Sequence, residues 1–222
     1  MIRQVTGICL SLLIVLSSTV ARANVGGVQD WDFTVYLDEQ EIGYHRFMLI
    51  PGLHAHTVQI QAEFNVKFLF LTVYTYTHTN IEQWSGDCLV SINAFTDDNG
   101  DQHTVRGSRQ KNGDFVIKKD LKEVVLSGCV RTFSYWDPAI LKATQLLNSQ
   151  TGEYMDIEVI PLGSRDLEFS GQRDISNGYR LQGKDLLIDL WYSQDDRWLA
   201  LESTTTSGKR LRYQINQPDT GE

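Results

Sequence analysis

Apolar and polar residues alternate strictly along the stretch that follows His56. Val58, Ile60, Ala62, Phe64 and Val66 are apolar, while Gln59, Gln61, Glu63, Asn65 and Lys67 are polar. A period of two is the mark of a strand with one face buried and one in water. At Phe68-Leu69-Phe70-Leu71 both parities are apolar, and then Tyr74, Tyr76 and His78 alternate with Thr75, Thr77 and Thr79. There is no Gly or Pro from His56 to Asn80. One straight strand of that length would span about 80 Å, too long for a compact domain of about 200 residues. The pattern therefore predicts two strands joined by an apolar corner near residues 67–72. A single bent strand is the alternative, because the parity survives the corner.

The rest of the chain reads the same way. WDFTVYL sets Trp31, Phe33, Val35 and Leu37 on one face; DEQE is a turn, IGYHRFMLI a strand, and Pro51-Gly52 its end. Further turns are expected at Asp97–Asp101, Lys111–Asp114, Ser176–Gly178 and Thr206–Lys209, with Asn-Gly favoured because both positions tolerate the positive φ of a twisted hairpin. Gly163-Ser164-Arg165-Asp166 also reads as a turn. Between these lie short runs rich in Val, Ile, Tyr and Phe, from CLVSINAF to RLRYQI. One helix signal interrupts them. In YWDPAILKATQLLNSQTGE, Asp137 is an N-cap, Pro138 occupies the first helical position, and Ile140, Leu141, Thr144 and Leu147 recur at helical spacing. That predicts a helix of two to three turns over 138–147.

The first residues stand outside this pattern. A basic MIRQ precedes an apolar run and an Ala21-Arg22-Ala23 cleavage signal, so residues 1–23 read as a secretory signal peptide and 24–222 as a single β-rich domain. The run is short for a membrane span and broken by Ser and Thr, and no later segment is long and apolar enough to be one. The 222-residue chain carries a formal charge of −8, and losing Arg3 and Arg22 with the leader takes it to −10. An acidic exported protein is a poor binder of nucleic acid or of anionic lipid by charge. Export, most simply to a periplasm, also permits oxidation. Cys88 and Cys129 remain after cleavage, and a disulfide is the simplest reading, with two separate buried thiols the alternative.

Motifs that would carry a reaction are few. His54 and His56 form an H-x-H pair, half of a zinc shell at most, so no metal is assigned. The chain has no G-x-S-x-G elbow and no P-loop or Rossmann glycine pattern, and no cofactor is implied. Asp97-Asp98-Asn99-Gly100-Asp101 fails as a calcium loop, since Phe95 and Arg106 would take its first and twelfth positions. Carboxylate pairs occur at Asp195-Asp196, beside Trp198, and at Asp185 and Asp189, but glycosidase chemistry depends on their separation in space. What remains is aromatic surface. Phe64, Phe68, Phe70, Tyr74, Tyr76, Trp84, Tyr135, Trp136 and Trp191 are candidates to line one concave face as an apolar ligand site, or simply to pack as core.

Four stretches carry a resemblance: WDFTVYLDEQEIGYHRF; FNVKFLF with YTYTHTNIEQW; SYWDPAILKATQLLNSQTGE; and DLWYSQDDRWLALESTTTSGKRLRY. Together they resemble a family of exported bacterial proteins of unknown function, over nearly all of the mature chain. That family is similar in its expected fold to the periplasmic lipoprotein carriers, and the resemblance implies no catalytic residues. The expectation is a mainly β protein: a large curved antiparallel sheet, an open or half barrel, with one short helix. Its expected role is non-enzymatic binding of an apolar small molecule, a lipid or acyl chain. A structural or partner-binding envelope module is the second reading and a hydrolase using surface carboxylates the third. The sequence is silent on oligomeric state.

Overall fold

A computed structural model describes residues 27–119, 122–169, 172–205 and 207–216. The signal-peptide expectation for residues 1–23 lies outside them. Among the described residues, fourteen strands form one antiparallel sheet, open at both edges. The first eight make a meander: β1 (Gln29–Leu37), β2 (Gln40–Ile50), β3 (His56–Phe68), β4 (Leu71–Ser85), β5 (Cys88–Asp98), β6 (Asp101–Arg109), β7 (Phe115–Lys119) and β8 (Lys122–Leu126). The remaining six make a second: β9 (Gln145–Leu147), β10 (Tyr154–Phe169), β11 (Gln172–Gly183), β12 (Leu186–Ser193), β13 (Trp198–Thr204) and β14 (Arg210–Ile215). The meanders join where β14 pairs with β1, so β8 and β9 are the two edges. The segment from Val130 to Leu147 connects them and lies against one face of the sheet: Leu89 N–H donates to the Val130 carbonyl, and Thr132 touches both Glu82 of β4 and Leu147 of β9.

That face holds the core. Phe33, Val35, Phe47, Val58, Trp84, Leu89, Val105, Leu190, Tyr192, Trp198 and Leu201 are buried on it, beneath Ile140, Leu146 and Leu147 of the connection. Phe33 packs against Trp198 at 4.3 Å between ring centroids and edge-on to Phe47 at 6.5 Å. Burying each such side chain contributes about 1.5–3 kcal/mol. The alternation read from β3 is reproduced: Val58, Ile60, Ala62 and Phe64 are buried and Val66 half-buried, while Gln59, Gln61, Glu63 and Lys67 are exposed. The long run is indeed two strands, paired from His56↔Trp84 to Phe68↔Leu71, around a tight turn with Leu69 at φ 56°. Cys88 and Cys129 form a disulfide.

Three sequence expectations are corrected. The helix is a 3-10 turn, Pro138–Lys142, and not an α-helix reaching 147. Asp137 caps it, accepting from the Ala139 N–H, but Ala143 is extended and Leu146 and Leu147 are both fully buried in β9, paired to Met155 and Tyr154. Two adjacent buried leucines suit a strand enclosed on both sides better than one helix face. Gly163–Asp166 is no turn either; it continues β10 through a bulge between Pro161 and Gly163. Nor is Ser176–Gly178, which lies inside β11. Gly178 is bare for a packing reason: a Cβ there would stand 2.5 Å from the Trp191 ring. Among the described residues no helix is long and apolar enough to cross a membrane.

Candidate functional site

Inward positions of neighbouring strands share cross-strand rows. One row runs Phe33, His45, Ala62, His78, Thr96 across β1 to β5; the next runs Val35, Gly43, Phe64, Tyr76. Small side chains alternate with rings here, and the face is not filled. A cavity of about 490 Å³ is walled by Leu37, Ile42, Phe64, Val66, Tyr74, Tyr76, Leu211 and Tyr213, with His45 and Gln150 at its inner end and Lys209 exposed at its rim. A second space of about 240 Å³ shares His45 and Gln150 and continues past His78, Glu82, Thr132, Tyr135 and Ser149 to Leu186 and Ile188. The connection supplies the cover. Asn148 Oδ1 accepts from the Gln150 and Thr151 N–H groups, a tight turn that sets Ser149 and Gln150 over the two histidines.

Gly43 makes the close strand approach possible. It sits at φ 146° beside the β1 bulge between Val35 and Tyr36, and a Cβ there would lie 1.9 Å from the Glu63 carbonyl oxygen. Any other residue would push β2 away from β3 and widen the wall.

Burial holds the histidines and phenols of this apolar space in their neutral forms. Burial lowers His45 to about 3, with His78 adding to the shift, and lowers His78 to about 4, partly opposed by its hydrogen bond to the Phe95 backbone. His45 Nδ1 meets the Tyr213 hydroxyl at 3.1 Å, while its Nε2 is sealed from solvent and has no hydrogen-bond partner among the described residues. His78 Nδ1 meets the Thr96 hydroxyl at 2.9 Å, and its Nε2 lies 3.5 Å from Ser149 Oγ. Burial pushes the phenols of Tyr74, Tyr76 and Tyr213 up. Burial also raises Glu82, opposed by hydrogen bonds donated from Asn80, Trp84 Nε1 and Thr132. In Ser149–His78 the base is backed by a hydroxyl where an acyl-transfer triad has a carboxylate. Neutral imidazoles, phenols and amides in an apolar wall hold an uncharged group by hydrogen bonding and exclude a charged one by desolvation.

The nine sequence candidates fall in five places. Phe64, Tyr74 and Tyr76 wall the larger cavity and Tyr135 the smaller. Phe64 and Tyr76 stack at 5.1 Å. Trp84 and Trp136 pack edge to face at 5.6 Å in the core beyond them. Phe68 and Phe70 stand exposed at the β3–β4 turn, away from the cavity. Trp191 is on the opposite face of β12, covered by the Arg165 guanidinium at 3.6 Å, which in turn bonds Glu202. The two H-x-H histidines part company: His54 lies in an exposed bend, while His56 opens β3 and stacks on Trp84. Asp189 pairs with Arg180 through two bonds of 2.6 and 2.8 Å.

A family model, the domain of unknown function DUF6134, matches residues 33–216, nearly the whole sheet, from Phe33 within β1 to the end of β14. The chain belongs to the DUF6134 family. No curated protein matches it. Among solved structures it is similar to a crystal structure titled a beta-barrel-like protein of the domain of unknown function DUF1849, from Brucella abortus. The identity is 9%, with 86% of this chain and 95% of that chain covered and a TM-score of 0.62. A likeness at that identity shows a shared fold. In this DUF6134 chain the stretch SYWDPAILKATQLLNSQTGE forms the cover of the cavity, so the segment that carries much of the sequence resemblance is also the one that completes the site.

Sequence reasoning missed His45, Gln150 and Tyr213, and passed over His78 and Ser149. A signal for the histidines was present. Each occupies an inward parity, His45 in step with Phe47 and His78 with Tyr76. A histidine in step with core residues has to be either satisfied or functional.

Proposed function

We propose that this DUF6134 protein is exported to the periplasm and there holds an uncharged apolar ligand, a lipid or acyl chain, without catalysing a reaction on it. The ligand lies between the inward face of β1–β4 and β14 and the covering segment, and the sheet bends around it. One observation carries the reading: a space of about 490 Å³ walled by Leu37, Ile42, Phe64, Val66, Tyr74, Tyr76 and Leu211, in which each buried titratable group is held in its neutral form. That volume lies in the range of small-molecule sites. Support for the bend comes from Thr132. Nine strand intervals separate β4 from β9, roughly 43 Å in a flat sheet at about 4.8 Å each, yet this one residue touches both. The similarity in expected fold to lipoprotein carriers is in keeping with an apolar cargo, by analogy of fold alone.

The test is uptake. Protein purified from its own compartment, sprayed under native conditions, should carry an adduct of lipid mass, and the delipidated protein should take up a fluorescent fatty acid. Val66→Trp adds an indole to the wall and should reduce that uptake at least tenfold while leaving the thermal transition within a few degrees of wild type. A clean apo mass together with no uptake by the wild type would end this reading.

A further inference from the structure

We infer a second property that does not depend on the cavity being filled: the β3–β4 hairpin apex is a wedge that docks the protein on a lipid bilayer. Phe68, Leu69, Phe70 and Leu71 are 68, 79, 98 and 71% exposed, and Val73 is 53% exposed. Single exposed apolar residues are ordinary, but contiguous ones mark a contact surface. Strand pairing to β2 ends at Phe64 and pairing to β5 at Tyr76, whereas the hairpin pairs on to Phe68↔Leu71. The four side chains therefore stand clear of the sheet.

Shape and charge select the occupant. A protein groove covers one side of an inserted element, so a groove-binding apex would keep a polar side. Here the apex is apolar in both parities, with Phe68 and Leu71 opposite each other and Leu69 and Phe70 across the turn. Such a tip suits a medium that surrounds it. The two rungs from Lys67 to Leu69 span roughly 7 Å, which matches the 5–10 Å depth of an interfacial element. Lys67 sits exposed at the base of the apex, where a snorkelling amine favours the headgroup level. In a chain with 28 Asp and Glu, none occurs between Glu63 and Glu82. The acidic turn at Asp97–Asp101 reaches only the base of the apex, where Asp98 meets the Tyr74 hydroxyl and the Asn99 N–H bonds the Thr75 carbonyl, short of Phe68–Leu71. Attraction here is by apolar insertion, so it needs no anionic lipid and responds little to salt. Val66 and Tyr74, the next inward residues of the same hairpin, wall the cavity, so docking would bring the cavity close to the membrane.

The experiment is flotation with vesicles of phosphatidylcholine alone, at low and at high salt, of the purified wild type and of a Leu69→Ser/Phe70→Ser double variant. Both positions are exposed, so the variant keeps its fold, checked by circular dichroism and thermal melting. The wild type should float at both salt concentrations, and the variant should partition at least about a hundredfold less, from the transfer free energy of two apolar side chains. A Phe70→Trp variant gives a second readout. All five native tryptophans are buried, at 9% exposure or less, so quenching of the added emission by brominated lipid reports the apex. Failure of the wild type to float, equal flotation of the double variant, or binding that vanishes at high salt would each overturn the inference. So would a wild-type dimer that the double variant dissolves without any vesicle binding, because the apex would then be a contact between copies. Fatty-acid uptake in free solution should be unchanged in the double variant, so this test and the test of the cavity fail separately.

Discussion

Cutting the Cys88–Cys129 bridge should weaken the protein chiefly through its unfolded state. The sulfurs join residues 41 apart in sequence. The chain-entropy relation gives a stabilisation of about 4 kcal/mol for a loop of that length, a large share of a total of about 5–15 kcal/mol. The native geometry around the bridge is held independently. Arg131 pairs with Asp87 at 2.8 Å and with Asp137 at 3.0 Å, and the Leu89 N–H donates to the Val130 carbonyl at 2.9 Å. The start of the covering segment should therefore stay on the β4–β5 turn when the sulfurs are gone. The perturbation is a Cys88→Ala/Cys129→Ala double variant, and the assay is equilibrium urea unfolding followed by tryptophan fluorescence, to which Trp84 and Trp136, buried close by, contribute. The midpoint should fall by an amount equivalent to about 4 kcal/mol, and the slope should rise because the uncrosslinked chain exposes more surface when unfolded. The native spectrum and fatty-acid uptake should not change. A variant within about 1 kcal/mol of wild type would refute the unfolded-state argument. A variant that loses native fluorescence would refute the independence of the covering segment.

Three further outcomes follow from the same face. His78, buried and lowered from 6.5 to about 4, binds fewer protons folded than unfolded. Its contribution is fully present above pH 6.5 and is lost as pH falls from there to 4, about 3 kcal/mol in all. His45 acts in the same direction, whereas Glu82, raised by burial, gains stability as pH falls through its raised value. His78→Gln should flatten the decline in urea midpoint between pH 6.5 and 4.5; parallel curves for variant and wild type would refute the assignment. Gly43→Ala should cost more than about 3 kcal/mol, since its Cβ meets the Glu63 carbonyl at 1.9 Å, and urea unfolding measures it directly. Glu82→Ala strands the donors of Asn80, Trp84 and Thr132 and should cost about 3 kcal/mol or more, whereas Glu82→Gln keeps an acceptor for some of them and should cost much less.

The strands were legible because one side of the sheet is wet. In β3 and β4 the exposed Thr, Gln and Glu mark the outer parity so clearly that both strands and their joint could be placed. The same rule fails where both faces are covered. Leu190, Trp191 and Tyr192 are consecutive and all buried, and nothing in that run says that the middle ring turns outward beneath Arg165. Ser-Asn-Gly at 176–178 carried a turn signal, but its glycine answers to the Trp191 ring and not to a positive φ. Buried polar residues mislead in the opposite direction: Asn80 and Glu82 continue the inward row of β4 as a hydrogen-bonded network.

The cavity was only partly legible, for a topological reason. Its walls come from β1–β4 and from β14, brought together by the pairing of the first strand with the last. Local patterning holds no information on that pairing, which spans nearly the whole domain. Three rings of the cavity could be named, because an aromatic at an inward parity faces whatever lies on that side. Tyr213, Ser149 and Gln150 could not, because they reach the two adjoining spaces from the far meander and from the cover. The exposed apex shows the converse. Period two identifies Phe68–Leu71 as neither inward nor outward, and the default that apolar residues are buried then assigns them to an interior the fold does not provide. Where alternation breaks at a turn that has no glycine, the broken pattern is itself informative. A water-facing turn would select Asn, Asp or Gly, and four large apolar side chains in their place point to selection by something other than water.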